Sequence, residues 1–142
     1  MYQNNPMMQY FEQFGEVLTR LFDYKQQGTF EEADELLNVS FARFLSIKPD
    51  AFDGVLAQRV IDYLLANYTY NTTQLSILAE LLKERGEISG LKGDDQQTMF
   101  NYQVALNILE FVEHEERVYS LARMEKIIWL QYEIAAMLNK VC

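Results

Sequence analysis

The chain has 142 residues, 49% of them hydrophobic and 23% charged, with a net charge of −9. That length and balance suit a single folded domain, residues 1–142, and exclude a disordered chain, which lacks the apolar residues to build a core. An acidic surface repels phosphate backbones and anionic bilayers, so neither nucleic acid nor a membrane is expected as a partner.

With six glycines and two prolines, long helices are favoured over turn-rich strands. Six helices can be placed along the sequence. The first runs from about Pro6 to Gln27, with Asn5 as N-cap and Pro6 at the first helical position, where a missing N–H costs nothing. Met7, Phe11, Phe14, Leu18, Leu21 and Phe22 recur at helical spacing and predict its buried face. Gly28 ends it. Thr29 and Glu32 then read as a capping box, followed by a stripe of Ala33, Leu36, Leu37, Ser40, Phe41 and Phe44. Pro49 stops that second helix.

Asp50 is the expected cap of a third helix, about Ala51 to Asn67, with Phe52, Val55, Leu56, Val60, Tyr63, Leu64 and Leu65 as apolar positions. The segment NYTYNTT breaks it. Thr72 or Thr73 is expected to cap the fourth helix, about Gln74 to Gly90, whose inner face holds Leu75, Leu78, Ala79, Leu82 and Gly86. Gly93-Asp94-Asp95 separates it from the fifth, about Asp95 to Glu113, with Met99, Tyr102, Ala105, Leu106 and Leu109 inside. After the polar joint EHEERVYS, Tyr119 or Ser120 opens the sixth, which runs to about Asn139.

Residues 79–112 fit the frame of a tetratricopeptide repeat (TPR), which pairs two antiparallel helices in about 34 residues. Gly86 falls mid-helix, where a side chain would hold the partner helix away. Gly93 closes the turn, where a left-handed backbone suits glycine. On the second helix Tyr102 supplies the bulky contact and Ala105 the small one. Residues 24–49 match the second half of another copy, with Gly28 at the turn, Ala33 and Ser40 at small positions and Leu37 at the bulky one. There are departures: Pro49 comes late, Leu21 replaces the mid-helix glycine, and Thr98 stands where alanine is usual.

Four segments carry a wider likeness: MYQNNPMMQYFEQFGEVLTRLF, GTFEEADELL, LLKERGEISGLKGDD and YSLARMEKIIWL. Through them the chain resembles, over nearly its whole length, a small bacterial family of TPR-like proteins with no assigned activity. The resemblance implies an all-α fold and no reaction. The expected architecture is a short TPR-like solenoid of about six antiparallel helices.

The residues that could carry chemistry are few. His114 is the sole histidine. Glu110 lies one turn before it, but a transition-metal site needs three or four ligands, so a solvated helix end is expected. Glu31, Glu32, Asp34 and Glu35 suit the positive end of a helix dipole. Cys142, the one cysteine, allows neither an internal disulfide nor a multi-cysteine zinc site. No nucleophile has a visible base, and no phosphate-binding loop occurs. No catalytic, cofactor or metal residue is therefore assigned, and no enzyme is expected. The opening residues lack the basic and apolar regions of a signal peptide, so a cytoplasmic location is expected.

Two surfaces remain. In the repeat frame Glu80, Lys83, Glu84 and Glu87 line a concave groove, a mainly acidic face suited to a basic or polar peptide. The sixth helix is apolar on more than one side, through Ile127, Ile128, Trp129, Leu130, Tyr132, Ile134 and Leu138. Unless the first helix folds round to cover it, Ile128, Trp129 and Tyr132 would anchor a homodimer. The expected function is a protein–protein interaction module without a cofactor. The alternative is a helical bundle that senses a small molecule or a metal ion.

Overall fold

The computed structural model describes residues 6–141, and all regular structure among them is helical. The helices are α1 (Pro6–Gln27), α2 (Phe30–Leu45), α3 (Val60–Asn67), α4 (Thr72–Leu91), α5 (Asp95–Glu116) and α6 (Leu121–Val141), with a 3-10 turn at Ala57–Arg59. The expected cap at Asn5 and the thiol of Cys142 lie outside the described residues. No helix among these residues is long and apolar enough to cross a membrane.

The third helix differs most from expectation, beginning at Val60 instead of Ala51. Residues 49–56 form successive tight turns instead, with Ala51 N–H donating to Lys48 O, Asp53 to Asp50 O and Val55 to Phe52 O. Gly54 takes a φ of 80°, which breaks a right-handed helix. Phe52 is still buried, so the apolar pattern is satisfied without a helix. Leu56 and Leu65, expected inside, are exposed.

On α1 the core-facing line is Phe14, Val17 and Leu21, with Tyr10 and Tyr24 packed against it. Phe11 and Phe22, placed inside by their spacing, lie one residue round from that line and are exposed.

Helix ends explain much of the chain path. At α2 the capping box does not form: the Thr29 hydroxyl instead donates to Tyr24 O, 3.3 Å away. The α2 C-terminus closes with Ser46 in a left-handed conformation, φ 51°. Ser46 N–H donates to Ala42 O and Ile47 N–H to Phe41 O. The hydroxyls of Tyr10 and Tyr70 then donate to Phe44 O and Leu45 O, satisfying carbonyls that have no helical partner. At α4 the cap is Asn71, not Thr72 or Thr73. Its side chain accepts from Gln74 N–H, and the Gln74 amide oxygen accepts from Asn71 N–H, at 2.8 and 2.9 Å. Asp94 caps α5 by accepting from Gln97 N–H.

The joint between α5 and α6 is built around Arg123. Its guanidinium donates to Glu113 at 2.7 Å, Glu116 at 2.8 Å and Val118 O at 2.7 Å. Thr72 also donates to Glu116, which ties the start of α4 to the same joint.

The helices pack in a line: α1 on α2, α2 on α4, α4 on α5 and α5 on α6, with α3 set against α5. In the middle of that line α4 is buried on almost every side, through Leu75, Ile77, Leu78, Ala79, Leu81, Leu82 and Ile88. The closest approach is between α4 and α5. A Cβ on Gly86 would lie 2.6 Å from Tyr102 Cε1 and 3.3 Å from Asn101 Cβ. Thr98 donates to Gly86 O at 2.9 Å, a hydrogen bond that ties the two helices together at this contact. Ala33 and Ala105 are fully buried. Gly28 and Gly93 hold φ values of 74° and 88° at the two turns.

Candidate functional site

Glu80, Lys83, Glu84 and Glu87 follow helical spacing and so share one face of α4. The structure places them together there, but not as an open acidic strip. Lys25 from α1 reaches Glu84 at 2.7 Å and Glu87 at 3.6 Å. From α6, Lys126 reaches Glu80 at 2.8 Å. Between them Lys83 contacts Glu87 at 3.1 Å, Glu84 at 3.8 Å and Glu80 at 3.9 Å. Three lysines thus meet three glutamates across three helices. Glu80 and Glu84 are each 7% exposed. The expectation of a mainly acidic groove is corrected on both counts: the carboxylates are largely buried, and they are neutralised by their own chain.

Burial at this depth costs ionised groups their hydration, and only dense pairing offsets that. The titration shifts follow. Burial works to lower the Lys83 pKa, but the carboxylates of Glu87, Glu80 and Glu84 outweigh it and the net shift is upward. For Glu84 burial dominates and raises the pKa, against the opposing pull of Lys25. Glu80 Oε1 has no aligned hydrogen-bond donor, so its contact with Lys126 is electrostatic.

Aromatic rings close one end of the network. The Lys83 ammonium lies 4.6 Å from the centroid of the Trp129 ring, a cation–π contact. Trp129 in turn meets Tyr102 edge-on, with centroids 5.4 Å apart. Tyr102 is the ring packed on Gly86, and its hydroxyl pKa is well above the usual range through burial and then the nearby charges of Glu87, Glu133 and Glu84. Trp129 is therefore engaged within the chain while remaining half-buried. Ile128 and Tyr132 are 58% and 71% exposed.

Sequence reasoning found the α4 residues and missed Lys25 and Lys126. Both sit on surface-like stretches of other helices, and nothing local marks them as partners of α4. Beside the network a shallow cleft of about 300 Å3 is lined by Lys83, Ala122, Glu125, Lys126 and Trp129. His114 is exposed near the end of α5. Among the described residues no group of three or more histidine, cysteine or acidic side chains is placed to hold a metal ion.

The geometry defines an all-α chain of sequentially packed helices with a balanced charge network shared by α1, α4 and α6. Scans against protein-family models, curated proteins and solved structures each find no match.

Proposed function

We propose that this chain is a TPR-like interaction module, acting in the cytoplasm without catalysis or cofactor, that docks a segment of another protein on the face shared by α1, α4 and α6. The observation that carries this reading is the convergence of Lys25, the α4 quartet and Lys126 with Trp129 on one face. Helices of a stacked array present such a face when every second one turns inward, and α1, α4 and α6 alternate with α2 and α5 in the packing order. The partner segment fitting this face carries both signs of charge, to meet the opposite charges on its accessible rim. Glu125 and the 44%-exposed Lys126 form its accessible rim. The test is binding by variants that block the cleft without touching the network. Ala122→Gln with Glu125→Arg should abolish binding of the partner and leave the thermal melt unchanged. Retained binding in that variant would refute the reading.

A second reading is supported by a separate surface. Leu121, Ile128 and Tyr132 leave exposed apolar area on α6, and a second copy could cover it through an isologous contact. Light scattering on the wild type should then give a dimer mass, and Ile128→Glu with Tyr132→Glu a monomer. A monomeric wild type at high concentration rules the dimer out.

A further inference from the structure

The connection between α2 and α3 is the longest among the described residues. Long connections inside a compact domain are uncommon and often carry function. This one bends over α4 and α5 and leaves a cleft of about 300 Å3 between them, with Phe52, Val55, Leu56 and Phe100 among its walls and Asp53 and Arg85 at its edge. It is distinct from the charge network. Arg85 follows Lys83 by two residues, a rotation of about 200° around the helix, so it faces the opposite side of α4.

Arg85 uses one N–H, donating from Nη1 to Pro49 O at 2.7 Å, which pins the loop. Among the described residues it has no carboxylate partner, and the exposed Asp53 side chain has no cation. Two opposite charges thus border one apolar cleft without pairing with each other. A planar guanidinium with an unused edge suits a carboxylate. An anion alone would meet repulsion from Asp53, which a cation on the same ligand would relieve. The volume lies at the lower end for small-molecule sites.

We propose that this cleft binds a free α-amino acid with an apolar side chain. Its carboxylate meets Arg85, its ammonium meets Asp53, and its side chain packs on Phe52, Leu56 and Phe100. The proposal is independent of the interaction face. It is tested by following backbone amide NMR signals while titrating L-leucine, isocaproate (no ammonium) and isopentylamine (no carboxylate). L-leucine should give saturable shifts at residues 52–56 and at Phe100, and each truncated analogue should bind at least about tenfold more weakly, as expected for loss of a charge-assisted contact. Asp53→Asn, at an exposed side chain with no partner, should keep the fold and weaken L-leucine by a similar factor. Arg85→Met should abolish binding. No saturable shift with L-leucine, isocaproate binding as well as L-leucine, or an unchanged affinity in Asp53→Asn would each overturn the proposal.

Discussion

Gly86 shows how a single residue sets the distance between two helices. Tyr102 and Asn101 occupy the space its side chain would need, and Tyr102 is itself held by Trp129, so the ring cannot simply swing away. Gly86→Ala should cost about 1–3 kcal/mol through overpacking, against the small gain in helix propensity that alanine normally brings. Urea unfolding checks it, and a more stable variant would show that the contact is not tight. This role was legible in the sequence because small residues at helix contacts recur at fixed spacing. The roles of Tyr10 and Tyr70 were not, because their acceptors at the end of α2 are distant in sequence. Burial raises both tyrosines above the usual value, and Tyr70 reaches about 12. A group with a raised folded pKa contributes stability that is complete below its unfolded value and lost as pH rises through the folded one. Stability should therefore hold to about pH 10 and fall toward pH 12. Tyr70→Phe should remove part of that fall and cost about 1 kcal/mol at neutral pH, the worth of one hydrogen bond. An identical alkaline profile in the variant would contradict the assignment.

Among the elements, α1, α2, α4, α5 and α6 were readable because each has a long apolar stripe bounded by glycine, proline or a capping residue. The third helix was misplaced because helical spacing in residues 51–59 is equally compatible with a loop that buries Phe52. Which solution wins depends on α4 and α5, through Arg85 on Pro49 O and Phe100 at the cleft, and no local signal reports that. Capping at Asn71 in place of a neighbouring threonine reflects its reciprocal bonds with Gln74. The tie between α1, α4 and α6 is electrostatic and centred on Lys83. Its raised pKa means that its charge contributes fully at neutral pH and is lost only as pH rises through the folded value. Lys83→Met should cost about 2–4 kcal/mol at pH 7, since it leaves buried carboxylates under-compensated. The deficit should shrink in acid as those carboxylates protonate. Urea midpoints at the two pH values decide this, and a deficit independent of pH would mean that lost packing on Trp129 is the cause.

On the scale of the whole molecule, the line of packing from α1 to α6 leaves apolar side chains uncovered at both ends. Exposed Phe11 and Phe22 on α1, and Ile128 and Tyr132 on α6, are apolar area beyond what the core needs. The all-helical class was legible from composition and periodicity. The charge balance of the α4 face was not, because two of its six charges come from other helices. The central claim is that this face docks another protein. Its most direct test is a pull-down from cell extract, comparing the proteins retained by wild type with those retained by the Ala122→Gln, Glu125→Arg variant at matched stability. Binding lost in the variant alone is the expected result. Equal binding by both proteins would place the partner elsewhere and contradict the account.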